Sequence, residues 1–185
     1  MTKKQIIILT IIFALVTILM RVIPHPWNFT PMGALVLFSG FYLPRKWMWL
    51  SLVALSITDL IIGTYQLQVM MVVYGSYAVM LGGAYALRGT RTVRMYKAPV
   101  VLGASLASAV LFFITTNFAH WMWFGGYAHN LSGLMSAYIA AIPFFKNSLM
   151  GYVVYSGVFF GVYEFVRYSA KLKFHQKKIT SSTLL

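Results

Sequence analysis

The sequence predicts an all-α integral membrane protein, a compact bundle of six transmembrane helices plus one short interfacial or re-entrant helix. Three observations predict it. Of 185 residues, 60% are hydrophobic and 9% are charged, whereas a soluble domain carries about 25% charged residues. The chain therefore has too few charges to cover a water-facing surface. The apolar residues come in blocks of about 13 to 22, and a hydrocarbon core of roughly 30 Å takes about 20 helical residues at about 1.5 Å each. Lysine and arginine fall in the short breaks between these blocks rather than on one stripe or groove. The net charge of +13 thus carries topology rather than a nucleic-acid footprint. Seven full spans would leave almost no loop, and five would leave one apolar block unplaced.

The first span is expected over about 5–23, stopped by Pro24-His25-Pro26 because neither proline donates to a helix ladder. It is followed directly by further spans and lacks a small-residue cleavage pattern, so it reads as a retained helix. A second, short span covers about 31–43, with Pro31 suited to a first helical turn. Pro44-Arg45-Lys46 separates it from a third, about 47–63. The fourth runs over about 68–87 and leads into the longest basic connection, Arg88 to Lys97; the fifth follows over about 99–116. After it comes Asn117-Phe118-Ala119-His120-Trp121-Met122-Trp123-Phe124-Gly125-Gly126-Tyr127, a density of tryptophan and tyrosine that marks the membrane–water boundary. Residues 131–145 are apolar but short and contain Pro143, and they are expected as the interfacial or re-entrant helix. The sixth span is about 147–168, with a basic cytoplasmic tail at 169–185. The whole chain, 1–185, reads as one transmembrane domain.

With the amino terminus inside, alternate breaks hold Lys3, Lys4, Arg45, Lys46, Arg88, Arg91, Arg94, Lys97, Arg167, Lys171, Lys173, Lys177 and Lys178, which is 13 of the 15 basic residues. Only Arg21 and Lys146 sit at outer ends. This bias predicts a multi-pass protein of the cell (inner) membrane with both termini cytoplasmic.

The same topology gathers the uncommon polar residues near the outer face. Arg21, His25 and Asn28 lie at the end of the first span and its loop, and Asp59 one turn from the end of the third. Tyr74, Ser76 and Tyr77 fall about two turns into the fourth span, Asn117 and His120 at the end of the fifth, and Lys146 and Asn147 at the start of the sixth. A central aspartate or arginine costs roughly 2.5–3.5 kcal/mol on insertion scales, so polar residues within a membrane usually face one another or a cavity. Each has two readings. Asp59 either braces the bundle by pairing with Arg21 or Lys146, or contacts a ligand. His25 is a loop residue or a ligand contact, His120 an interfacial anchor or a ligand contact, and Arg21 a snorkelling cation or a pocket residue. Tyr74 and Tyr77 are packing residues or pocket residues. Glu164, near the inner end of the sixth span, is expected to pair with Arg167 or another nearby base.

Enzyme chemistry has little support. Cysteine is absent, which removes disulfides, thiolate metal sites and cysteine nucleophiles. No Gly-x-Ser-x-Gly elbow occurs, and the histidines at 25, 120, 129 and 175 do not have zinc-type spacing. No cofactor or resident metal is expected. A binding pocket open to the outside needs fewer special features.

The stretch Arg21-Val22-Ile23-Pro24-His25-Pro26-Trp27-Asn28-Phe29-Thr30-Pro31-Met32-Gly33-Ala34-Leu35 resembles a family of small bacterial membrane proteins of largely unassigned function. That family looks related to the BtuM-like solitary substrate-binding components of energy-coupling-factor transporters, which take up cobalamin. Ser56-Ile57-Thr58-Asp59-Leu60, Phe112-Phe113-Ile114-Thr115-Thr116-Asn117-Phe118 and Ala141-Ile142-Pro143-Phe144-Phe145-Lys146-Asn147 extend the resemblance. It implies a six-helix bundle with an outward-facing substrate pocket. It also implies pocket or pocket-bracing roles for His25, Asp59, Tyr77 and Lys146, and release of substrate inward by toppling or rearrangement of the bundle. Without cysteine, a bound corrinoid's cobalt would take an imidazole from His25 or His120, a water, or no protein ligand.

The expectation is therefore a substrate-binding transporter subunit for a vitamin-like small molecule, cobalamin or another corrinoid among the candidates. Its partners would be that molecule, the lipid bilayer and an energising transporter module. The rival expectation is a non-transporting structural or assembly protein whose outer polar cluster braces the helices. A membrane enzyme using His25 or His120 as a general base is the third.

Overall fold

The computed structural model describes residues 2–92 and 97–183. Among them are six α-helices: α1 Lys3–Val22, α2 Met32–Tyr42, α3 Leu50–Ile62, α4 Leu67–Leu87, α5 Lys97–Ala119 and α6 Leu131–Thr183. A π-helical turn, His120–Phe124, continues α5. Four of these segments are long and apolar enough to cross a membrane: α1, α4, α5 with its π-turn, and Leu131–Leu172 of α6. Arg94 of the basic connection lies outside the described residues, as do the side chains from Lys173 onward.

Local chemistry sets the ends of α1. Thr2 and Gln5 form a capping box, Gln5 N donating to Thr2 Oγ1 at 3.3 Å and Thr2 N to Gln5 Oε1 at 2.8 Å. At the other end Ile23 turns extended, φ −72° and ψ 143°, as a residue before proline prefers.

α2 is the axis of the bundle. Ten of its 11 residues, Met32 through Phe41, are buried, so it is apolar on every side, as a helix enclosed by other helices must be. At about 1.5 Å per residue it is about 16 Å long, half a hydrocarbon core. Two glycines let its neighbours close in. A Cβ on Gly40 would stand 2.6 Å from Ala84 Cβ and 2.7 Å from Leu81 O of α4, and one on Gly33 would enter the Tyr152 ring of α6. Aromatic rings fill the core around it: Phe13 stacks on Phe159 at 4.1 Å, and Phe38 meets Phe13 at 5.1 Å and Phe160 at 5.4 Å. Buried hydroxyls turn back onto their own helices, Thr10 to Ile6 O and Thr17 to Phe13 O, both at 2.8 Å. The outward faces carry exposed Leu15, Leu19, Val53, Leu60, Val79 and Ile139, an apolar coat that suits lipid.

Three expectations are corrected. The separate interfacial helix at 131–145 does not form: α6 runs unbroken from 131 through Pro143 into the stretch expected as the sixth span and on through the tail. A single proline removes one ladder donor, and packing against neighbouring helices offsets that loss in membrane helices. Phe145 and Tyr138, on either side of Pro143, both pack on Phe113 of α5, at 4.6 and 5.5 Å. The fifth helix does not stop at 116, because the aromatic boundary stretch is itself helical to Phe124. The third helix begins at Leu50 rather than 47, residues 45–49 forming turns after Pro44.

One end of the bundle gathers its basic residues. Arg88 Nη1 donates to Leu43 O at 2.6 Å, tying α4 to the end of α2. Glu164 of α6 accepts from Lys97 of α5, from Tyr42 OH at 3.2 Å and from Arg167 at 3.2 Å. The opposite end holds Arg21, Asp59 and the aromatic π-turn.

Candidate functional site: a cavity at the end opposite the basic cluster

α2 begins well below the end of the bundle, and the space over its start is a cavity of about 500 Å³. Its walls come from the loop before α2 (Trp27, Asn28, Thr30), from Arg21, Tyr65 and Tyr77, and from Phe112, Asn117 and His120. The far wall is one face of α6, Ala137, Ala141, Phe144, Ser148 and Tyr152, whose spacing of three and four residues is that of a single helical stripe. The loop is strapped to this wall. Asn147 Nδ2 donates to Trp27 O at 3.1 Å, and Gly151 passes so close that a Cβ there would lie 3.2 Å from the backbone of Thr30. Asn28 takes φ 63°, a left-handed turn that asparagine tolerates better than most residues.

Among the described residues, Arg21 is the one charged side chain in the lining, histidine aside. Its Nη2 lies 2.9 Å from Asp59 Oδ1 and its Nη1 donates to Thr58 Oγ1. Tyr74 OH donates to the other carboxylate oxygen at 3.0 Å. Asp59 is only 3% exposed and stands behind Arg21 rather than in the wall. Both of its oxygens are engaged, whereas the guanidinium has five donors and spends two here. Its remaining donors are available to a bound acceptor. Tyr65, in the connection between α3 and α4, has its phenol pushed above its ordinary value, by burial first and then by the Asp59 carboxylate.

Of the residues predicted from sequence, Arg21, Asn28, Tyr77, Asn117 and His120 meet in this lining. Asp59 and Tyr74 brace it from behind. Two do not join them. His25 turns its Nδ1 to Ile23 O at 2.7 Å, because the two flanking prolines fix the loop locally, and it does not line the cavity. Lys146 is exposed, outside the lining and without an ion pair among the described residues. On α6 it falls between Phe144 and Ser148, off the stripe that faces inward. Of the two histidines considered as cobalt ligands, only His120 reaches the cavity, its ring stacked 4.4 Å from Phe124. It opens the π-turn, an irregularity that recurs at functional sites because it re-aims side chains within a helix. Among the described residues no three of histidine, cysteine, aspartate or glutamate group as a metal site.

Tyr65, Ala137, Ser148 and Tyr152 are not singled out by the sequence, and Trp27, Thr30, Phe112, Ala141 and Phe144 stand there only within the stretches that carry the family resemblance, with no site role. The stripe was readable as a face of small and aromatic residues at helical spacing, once 131–145 and 147–168 are taken as one helix.

None of the curated proteins and none of the solved structures matches this chain. A sequence model matches residues 1–176, nearly the whole length, and the chain belongs to the family it describes, the family of unknown function DUF6580.

Proposed function

We propose that this protein is a substrate-binding membrane subunit that takes a vitamin-like small molecule into the cavity over α2. In this reading the chain crosses the inner membrane six times, the short α2 and α3 completing their crossings with the connections that flank them, both termini lie in the cytoplasm, and the cavity opens outward. The observation that carries it is the lining itself: one cation with spare donors among aromatic rings, hydroxyls and amides, with no carboxylate from the described residues in the wall. Such a wall suits a small amphipathic molecule with an apolar or ring body and at least one acceptor group. The BtuM-like resemblance supplies the transport role, with a corrinoid as one candidate. A volume of about 500 Å³ is that of pockets enclosing drug-sized ligands. A whole corrinoid would seat only part of itself, with His120 as the nearest imidazole.

The test is a panel of vitamins, cobalamin included, against detergent-purified protein by thermal shift. A ligand at 100 times its Kd stabilises by about 2.7 kcal/mol, and Ala141→Phe, which fills the cavity, should remove that gain. No stabilisation by any member of the panel, with Asp59→Asn neutral for growth on scarce vitamin, would sink the idea.

A second reading has its own observation. The saturated Asp59 carboxylate is what a helix brace requires, and a structural or assembly protein needs nothing more. It predicts that Asp59→Asn lowers thermal stability while no small molecule raises it.

A further inference from the structure

At the basic end of the bundle a second groove, of about 570 Å³, opens between α5 and α6. Val101, Leu102 and Ser105 of α5 line it, with Ser156, Gly157 and Gly161 of α6. Ser105 Oγ lies 2.9 Å from Ser156 Oγ and 2.8 Å from Val101 O. The hydroxyls of the floor are therefore spent within the protein, and what remains is a surface that hydrocarbon can wet. A Cβ on Gly157 or Gly161 would meet nothing within 4 Å. These glycines admit no helix of this chain, in contrast to Gly33 and Gly40, and the space beside them is open.

Lys97 and Glu164 close one end of the groove. Arg167 joins them, its Nη1 3.2 Å from Glu164 Oε2. Two cations stand against one carboxylate, so this end attracts anions. Lys97 is committed to Glu164 and to the face of Tyr42, 4.5 Å away. Arg167 is the more available of the two, about two-fifths exposed with most of its donors unspent.

We propose that this groove holds an acyl chain of an anionic phospholipid, with the lipid phosphate on Arg167 and Lys97. Basic pockets between membrane helices recognise anionic headgroups in this way. Charge argues for a lipid over a second transmembrane helix as the occupant, because the groove ends at two cations, Lys97 and Arg167, that suit an anionic headgroup. An acyl chain is narrow enough to lie in it along its length. The site is independent of the cavity over α2 and of any substrate bound there.

The test uses the full chain purified in detergent and titrated with phosphatidylglycerol or phosphatidylcholine of identical chains, read by native mass spectrometry. Phosphatidylglycerol should be retained about tenfold better than phosphatidylcholine. Gly157→Leu and Gly161→Leu should each lower that retention about tenfold, with thermal melting as the control for folding. Arg167→Gln should erase the preference between headgroups while leaving chain binding. Leu102→Phe fills the same groove from α5 and replaces either leucine variant that fails to fold. Equal retention by the groove-filled variants, or equal retention of the two lipids by the natural chain, overturns the proposal. A dimer that the leucine variants dissociate, with no lipid retained, overturns it in favour of a second copy of this chain.

Discussion

Arg21 and Asp59 are 38 residues apart in sequence and meet at 2.9 Å between Nη2 and Oδ1, joining the end of α1 to the end of α3. The pair sits with 18% of the arginine side chain and 3% of the aspartate exposed. Tyr74 brings α4 onto the same carboxylate. Three helices are thus fixed around one acid, and the wall of the cavity depends on it.

Breaking this pair from one side leaves a partly buried cation without its counter-charge. Asp59→Asn should cost about 3 kcal/mol of stability, seen as a lower melting temperature in detergent. Pairing it with Arg21→Leu should recover part of that loss, because no orphan charge then remains. A double variant as unstable as the sum of the singles would show that the two side chains act independently.

Glu164 gives the contrasting case. Its carboxylate is 42% exposed and shares Lys97 and Arg167, themselves 31% and 43% exposed. Exposed pairs of this kind contribute about 0–1 kcal/mol, so Glu164→Gln should barely shift the melting temperature. A loss as large as that of Asp59→Asn would mean that this end is drier than its exposure indicates.

Gly40→Ala tests the close approach of α2 and α4. The added methyl would stand 2.7 Å from the Leu81 carbonyl, a backbone atom that cannot turn away. Overpacking of this kind costs about 1–3 kcal/mol. Gly103→Ala, where nothing lies within 4 Å, is the control and should be neutral or slightly stabilising. Equal melting temperatures for the two variants would refute the packing.

The proposed topology is open to fusion reporters. Alkaline phosphatase joined within the Arg88–Lys97 connection should be inactive, and joined at Gly125–Asn130 it should be active. The reverse pattern would put the cavity on the cytoplasmic side and remove the outward-facing pocket.

Tyr65 sets an alkaline limit. Its phenol is raised above the ordinary 10.0, so the folded state holds the proton more tightly than the unfolded chain does. The sign follows from linkage: its contribution is complete below about pH 10 and is lost as pH rises from there through the folded value. Tyr65→Phe should therefore soften the fall in stability above pH 10, measured by melting temperature against pH in both proteins.

Much of the helix pattern was legible because it rests on local chemistry. Pro24 and Pro26 end α1, Pro31 opens α2, and Gly63 and Leu87 bound α3 and α4 close to where the residue types place them. Pro143 misled for the same reason. Read locally it breaks a helix, and only packing against Phe113 of α5 lets α6 continue through it. The special place of α2 was not legible at all. When nearly every helix is apolar on all sides, a lipid-facing stripe and a core-facing stripe have the same composition, and no periodicity separates them. The α6 wall of the cavity escaped notice on this account.

Composition and the spacing of lysine and arginine were enough to establish an α-helical, lipid-compatible chain and to send Arg21, Asp59 and Tyr74 toward the same end. Tertiary structure alone chose Arg21 over Lys146 as the partner of Asp59, turned His25 away from the cavity and brought His120 to it. The reason is geometric. Burial cost and helix length act on each segment separately and can be read along the chain, but which side chains meet depends on how each helix is rotated about its axis. That rotation is set by contacts such as Gly33 on Tyr152 and Gly40 on Ala84, between residues far apart in sequence.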